Sequence, residues 1–288
     1  MALKNKVIAG AALDVYTSEP FENNPFIGLD NIIMTPHLAA STDEAQLNVA
    51  IDIAHQMVDY LSTGAIVNAV NVPSLDSETR KALQPMLYLA NRLGLFQALF
   101  TRGCPQSIEI EYSGVTGVTD TYPITAAILT GFLSPMVETV NMVSAPSQLK
   151  ERGISASEKH TAAPSNYAFE IGVSVVTDLE KHTVTGTLFH KTDPRICSID
   201  NMRVDAKPEG NMLVCTNEDK PLVVGRVCTK IGEAGVNIAN LMLGRDEQGG
   251  AALTVLNLDQ PVSEEVLKAI CAVPHVTEVR LVTLPEAK

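Results

Sequence analysis

Three acid–base side chains near the start of the sequence follow two short apolar runs. Asp14 comes directly after the apolar run 7–13, and Glu19 lies five residues later. His37 follows the second run, which begins at residue 32. Ligands of open α/β sheets bind beyond the carboxyl ends of the strands, so the three side chains can converge on one site. A carboxylate beside a histidine fixes the imidazole tautomer and raises its pKa, so this pattern predicts general acid–base chemistry.

Two parallel strands and one helix are predicted to hold these side chains in place. Apolar runs without alternation are typical of strands that are buried on both faces of a parallel sheet. The capping-box sequence S-T-D-E at 41–44 begins a predicted helix, whose N-terminus favours an anionic substrate at the site. From spacing alone, structural roles also remain open. Asp14 could cap a loop, Glu19 could be a solvated turn residue, and His37 could be a histidine at the sheet edge whose hydrogen bonds are satisfied.

Hydrophobic patterning divides the chain into three segments, 1–75, 76–206 and 207–288. The first is predicted to be α/β, the C-terminal end of a Rossmann-type parallel sheet, and a linker follows at 71–77. The second is predicted to be α+β, with a loop or mobile hairpin at 144–165. Its predicted helix and strands lie at 83–100, 108–112, 169–176 and 183–189. The third has the order strand–helix–strand–strand–helix–strand, which is the ferredoxin-like βαββαβ unit.

Composition disfavours several classes of partner. The chain has 288 residues and a net charge of −12, from 33 acidic and 21 basic side chains, which disfavours nucleic acid and anionic membranes. No apolar stretch reaches the roughly 18 residues of a membrane span. The five cysteines form no C-x-x-C pair and the histidines show no metal-ligand spacing. We therefore expect reduced thiols, a cytoplasmic location and no metal.

Two motifs resemble the D-isomer-specific 2-hydroxyacid dehydrogenases. They are G-A-A-L-D-V-Y at 10–16 with Glu19-Pro20, and T-P-H-L-A-A-S-T at 35–42. The sequence N-A-V-N-V-P at 68–73 narrows the resemblance to the members that oxidise 3-phosphoglycerate to 3-phosphohydroxypyruvate with NAD in L-serine biosynthesis. The resemblance implies that His37 takes the proton of the C2 hydroxyl group as hydride passes to NAD, and that Glu19 orients His37.

The same resemblance implies cofactor contacts around this pair. Asp14 would bind the nicotinamide carboxamide, and the backbone of His37, Leu38, Ala39 and Ala40 would line the cofactor. Ala39 stands where the family usually has glycine. The family's G-x-G-x-x-G loop, its catalytic arginine and its N-terminal substrate-binding region have no counterpart in the sequence. We therefore expect the C-terminal part of a longer enzyme, with little or no dehydrogenase activity by itself.

The second segment resembles the intervening domain of the long-form members, which is associated with regulation. The matching motifs lie at 186–189, 193–195 and 203–206. Four basic side chains are candidates for binding an anion in this segment: Lys159, His160, Arg195 and Arg203. Ordinary surface charge is the alternative for all four, because isolated basic side chains are usually solvated.

The third segment resembles an ACT domain, a module that binds amino acids and pairs edge to edge. The resemblance rests on 217–222 and 235–239, and it implies serine contacts for Asn217, Asp219 and Asn237. Helix capping and turn stabilisation are the alternatives for these residues. We expect a homo-oligomer that pairs through this domain and binds a small-molecule substrate and an amino-acid effector.

Leu222 stands where glycine usually follows the proline, which would narrow the effector pocket. For the chain as a whole, the alternative to an enzyme is a stand-alone, non-catalytic serine-sensing protein.

Overall fold

The computed structural model describes residues 1–19, 24–63, 67–69, 77–114, 120–161 and 167–285. The predicted linker 71–77 therefore lies outside the described residues except for its last position. Two compact units make up the chain, Met1–Val70 and Asn71–Lys288.

The first unit contains a two-stranded parallel sheet and one long helix. Strand β1 is Ala11–Leu13, strand β2 is Ile32–Met34 and helix α1 is Asp43–Thr63. The parallel pairing confirms the predicted sheet type. The prediction that both faces are buried is wrong, because the sheet has only two strands among the described residues and Ile33 is 70% exposed.

Helix α1 begins later than the capping-box prediction places it. The hydroxyl group of Thr42 accepts a hydrogen bond from the backbone N–H of Ala45 at 3.2 Å, so Thr42 is the N-cap. Ser41 instead ends a short 3-10 turn, Ala39–Ser41. Acidic side chains fill the first turn of α1, where they interact favourably with the helix dipole.

A six-stranded mixed sheet forms the first part of the second unit. Its strands are β3 (Pro105–Gly114), β4 (Ser155–Thr161), β5 (Phe169–Thr177), β6 (Lys181–Phe189), β7 (Asp193–Ile199) and β8 (Met202–Ala206). The described residues of this part also form helices α2 (Ser77–Phe100), α3 (Tyr122–Leu133) and α4 (Ala145–Glu151). The spatial order is β4-β3-β5-β6-β7-β8, in which only β3 and β4 are parallel neighbours. This architecture confirms the α+β prediction.

Helices α2 and α3 approach so closely that glycine is needed at their contact. A Cβ atom on Gly94 would lie 2.0 Å from the carbonyl oxygen of Ile128. A Cβ atom on Gly131 would lie 2.0 Å from the carbonyl oxygen of Asn91. Both distances are far inside van der Waals contact, so the two glycines set the spacing of this helix pair.

The prediction of a loop or mobile hairpin at 144–165 is wrong, since α4 and β4 occupy much of this stretch and β4 pairs in parallel with β3. Strand β4 lies at the sheet edge with nearly all of its side chains exposed, so its sequence shows no apolar alternation. Helix α3 has no counterpart in the sequence prediction. Its residues are almost all apolar and buried, which removes the amphipathic period that identifies a surface helix.

The last part of the second unit has the predicted ferredoxin-like order. Its elements are β9 (Gly210–Glu218), α5 (Val223–Glu233), β10 (Ile238–Arg245), β11 (Ala251–Leu258), α6 (Glu264–Cys271) and β12 (Val276–Leu284). The antiparallel sheet has the order β10-β11-β9-β12. One face, including Leu213 and Leu256, packs with α5 and α6, while Val214 and Val282 on the other face join the core around α2.

Leu222 precedes α5 in the left-handed backbone region, with φ 73°, and its side chain is 70% exposed. A non-glycine residue in this region costs about 1 kcal/mol or more. We expect Leu222→Gly to stabilise the protein by up to about 1 kcal/mol, and Leu222→Ala, which keeps the strain, to have little effect. Thermal unfolding checks this, and equal melting temperatures for the two variants would contradict it.

Candidate active site and effector region

His37 and Glu19 form a hydrogen-bonded acid–base pair in the first unit. Nδ1 of His37 lies 2.7 Å from Oε2 of Glu19. The other carboxylate oxygen of Glu19 accepts the backbone N–H of Tyr16 at 3.1 Å. The hydrogen bond and negative charge of Glu19 raise the pKa of His37, and the hydrogen bonds from His37 and Tyr16 lower the pKa of Glu19. A histidine held in this way can exchange a proton with a substrate.

Asp14 lies beside this pair and faces the segment that follows β2. Its Oδ1 accepts hydrogen bonds from the Thr35 hydroxyl group at 2.5 Å and from the Leu38 N–H at 2.7 Å. Its Oδ2 accepts the Ala39 N–H at 2.7 Å. The hydrogen bonds from Thr35 and Leu38 are the main causes of a lowered pKa for Asp14. Ala40 lies one residue further on, where its carbonyl oxygen accepts the side chain of Gln46.

A cleft of about 470 Å³ opens at this acid–base pair, a size suited to a small molecule. It is lined by Tyr16, Glu19, Asn24, Met34, Thr35, Pro36 and His37. The sequence prediction did not single out Tyr16 or Thr35. The phenol oxygen of Tyr16 lies 3.2 Å from the carbonyl oxygen of Leu13 and 2.9 Å from that of Thr35, so it ties the two strand ends together. Both residues lie inside the quoted motifs, which is the only sequence signal for them.

The three effector candidates do not form one cluster. Asn217 is 3% exposed and donates to the carbonyl oxygen of Glu218. Asp219 accepts hydrogen bonds from Arg245, at the end of β10, and from the Gly249 N–H, both at 3.1 Å.

Asn237 lies at the opposite end of β10 from Asp219. It immediately precedes β10 and donates to Asp259 at 2.8 Å. With about 3.3 Å per residue, the strand separates it from Asp219 by roughly 20 Å or more. None of the three candidates caps α5, whose N-cap residue, Leu222, makes no side-chain capping bond.

The four anion candidates are also spread over the six-stranded sheet. Lys159 and His160 lie on edge strand β4, close to Glu111 and Glu158 respectively. Arg195 lies on β7, four strands away, which is roughly 19 Å at the usual strand spacing.

Arg195 is ion-paired with Asp193 at 2.7 Å and with Asp205 at 3.1 Å. Arg203 lines a separate pocket of about 200 Å³ that also contains Tyr167 and Cys197. The structure therefore does not bring the four basic side chains into one site.

Within the described parts of the chain, no cluster of three or more His, Cys, Asp or Glu side chains is suited to a metal ion. The helices among those residues include none that is both long and apolar enough to cross a bilayer.

Comparison with known protein families matches three consecutive parts of the chain. Residues 1–39 match the NAD binding domain of D-isomer specific 2-hydroxyacid dehydrogenases, and residues 211–275 match the ACT domain. Between them, residues 82–200 match the D-3-phosphoglycerate dehydrogenase intervening domain. The chain is thus similar, part by part, to D-isomer specific 2-hydroxyacid dehydrogenases and to ACT domains. More narrowly, it is homologous along nearly its whole length to the C-terminal half of D-3-phosphoglycerate dehydrogenases.

Individual relatives support this relationship. The chain is 36% identical over 285 residues to the D-3-phosphoglycerate dehydrogenase of Bacillus subtilis, a match that covers 99% of the chain and 54% of the relative. The enzyme of the same name from Methanocaldococcus jannaschii is 36% identical over 284 residues, which cover 98% of the chain and 54% of the relative. The chain therefore spans about half the length of these relatives.

Proposed function

We propose that the first unit supplies the acid–base pair of an NAD-dependent dehydrogenase that oxidises 3-phosphoglycerate, the substrate in the relatives' names. The 2.7 Å contact between His37 Nδ1 and Glu19 Oε2 is the observation that carries this proposal. When Nδ1 donates to Glu19, the neutral ring presents Nε2 as a base. The proton of the substrate's C2 hydroxyl group passes to Nε2 as the C2 hydride leaves, and the Glu19 carboxylate stabilises the resulting imidazolium.

The residues around the pair fit the nicotinamide end of NAD, which accepts the hydride when bound. A carboxylate has about four acceptor positions, and Asp14 uses two on Oδ1 and one on Oδ2. One position on Oδ2 is left for a carboxamide N–H. We therefore propose that Asp14 and the backbone of His37, Leu38, Ala39 and Ala40 contact the cofactor.

We further propose that paired copies bind an amino-acid effector, with L-serine as the first candidate. Asn237 and Asp219 lie at opposite ends of β10, so one small ligand cannot touch both within a copy. Antiparallel pairing of sheet edges places the start of a strand in one copy beside the end of the same strand in the other. Pairing through the ACT domain would therefore bring the separated candidates together.

The free state of all five cysteines supports a cytoplasmic location.

A hybrid enzyme tests the dehydrogenase proposal. The part of the Bacillus subtilis relative that precedes the matched region is fused to this chain, and NADH formation from 3-phosphoglycerate and NAD is measured. We expect turnover by the hybrid and none by the Bacillus subtilis part alone. A hybrid that is folded and binds NAD but shows no turnover would contradict the proposal.

The same preparations test regulation. We expect calorimetry to detect L-serine binding to the chain and light scattering to show an oligomer. Serine binding without turnover by a folded hybrid would favour a non-catalytic, serine-sensing protein instead.

A further inference from the structure

The backbone of His37 is in the left-handed region, with φ 56°. A non-glycine residue persists in such a conformation only where its surroundings hold it there. His37 is also exposed, so close packing does not restrain it. Hydrogen bonds from neighbouring segments must therefore fix this turn.

The carboxylate of Asp14 supplies these hydrogen bonds. It accepts the N–H groups of Leu38 and Ala39, the two residues that follow His37, at 2.7 Å each. It also accepts the hydroxyl group of Thr35, two residues before His37, at 2.5 Å. Asp14 thus holds the chain on both sides of His37 from the end of the neighbouring strand β1.

We infer that Asp14 is a positioning residue for His37, and that Thr35 is its partner in this role. The carboxylate holds the left-handed turn, and the turn places the imidazole ring within 2.7 Å of Glu19. This inference rests on the proposed function for its catalytic meaning. It gives Asp14 a role in the free protein that is separate from the cofactor contact proposed above.

Amide exchange in the chain by itself tests the positioning role without any cofactor. In Asp14→Asn, one carboxylate oxygen becomes an NH2 group that faces backbone donors. We expect the Leu38 and Ala39 amides to exchange about tenfold faster or more, because charge-assisted hydrogen bonds are lost. Unchanged exchange and unchanged amide proton shifts at both residues would overturn the inference.

A milder pair of variants at Thr35 keeps the test informative if Asp14→Asn unfolds the unit. Thr35→Val keeps the shape of the side chain and removes the hydroxyl group, so we expect faster exchange at Leu38. Thr35→Ser restores the hydroxyl group, and we expect it to return the exchange rate most of the way to that of the original chain. Equal exchange in the valine and serine variants would overturn the role of Thr35.

Steady-state kinetics of the hybrid enzyme separates positioning from cofactor binding. We expect Asp14→Asn to lower kcat at saturating NAD by tenfold or more, beyond any change in the KM for NAD. A rise in the KM for NAD with kcat unchanged would overturn the inference and leave only the cofactor contact. If a folded hybrid that binds NAD shows no turnover, the proposed function fails, while the exchange measurements still decide the positioning role.

Discussion

Replacing His37 with glutamine in the hybrid enzyme is expected to reduce kcat by about a hundredfold to ten-thousandfold, the range found for general acid–base groups. Glutamine can still hydrogen-bond to Glu19, but it cannot accept the proton of the C2 hydroxyl group. Binding of 3-phosphoglycerate and NAD should change much less than kcat, because the proton is transferred only in the reaction.

His55→Gln is the matched control for this variant. His55 is exposed on α1 and lies outside the cleft that contains His37. The same chemical change there should leave turnover within about twofold of the unsubstituted hybrid, since surface substitutions usually have small effects. Retention of more than a tenth of the turnover by His37→Gln would contradict the assignment of His37 as the base.

Breaking the ion pair between Arg280 and Glu180 is expected to destabilise the second unit by about 3 kcal/mol, because the charge of Glu180, whose side chain is only 22% exposed, is left without its partner. Arg280, on β12, is 6% exposed and donates two hydrogen bonds to Glu180, at 2.6 and 2.8 Å. It also contacts Glu278 and lies 4.8 Å from the ring centre of Phe100. These contacts join the last strand of the ferredoxin-like sheet to the end of α2 and the β5–β6 turn.

Urea unfolding of Arg280→Met measures this effect, with Arg102→Met as the control. Arg102 makes an exposed ion pair with Glu278 at 3.4 Å, and such surface pairs contribute at most about 1 kcal/mol. We therefore expect a large loss of stability for Arg280→Met and a small one for Arg102→Met. Losses of similar, small size for both variants would contradict the account of this pair.

The ion pair between Arg280 and Glu180 should also make the stability of the protein depend on pH. Hydrogen bonds from the side chain of Arg280 and from the backbone N–H of Arg102 lower the pKa of Glu180 from 4.5 to about 2. Because the pKa of Glu180 is lower in the folded state, its carboxylate stabilises the fold fully above pH 4.5. This contribution to the free energy of unfolding is lost as the pH falls towards 2. Arg280→Met should remove most of this dependence, and an unchanged acid limb would contradict the prediction.

Local patterns in the sequence predicted that the candidate side chains can converge on one site, while spacing alone left structural roles open for each of them. Apolar runs predicted the parallel strands, and the strand ends placed Asp14, Glu19 and His37 on one edge. The contacts that position them were not predictable in the same way. Thr35 reaches Asp14 across 21 residues of chain, and its role depends on the left-handed turn at His37.

Contacts between distant segments were also not predictable from the sequence, because they depend on the tertiary fold. Arg280 and Glu180 are 100 residues apart, and no periodicity links them. Helix α3 lacks a polar face because it is buried on all sides, and strand β4 lacks an apolar face because it is exposed. In both cases the tertiary environment, rather than local propensity, determines the element.

The proton affinity of His37 is the quantity on which the proposed chemistry depends most directly. We would measure it first by NMR titration of the imidazole resonances in this chain and in Glu19→Gln. Glu19 raises the pKa of His37 through its hydrogen bond and its charge, so the pKa should fall when glutamine removes that charge. The same pKa in both proteins would mean that the carboxylate and the imidazole do not interact in solution, and would contradict the acid–base pair.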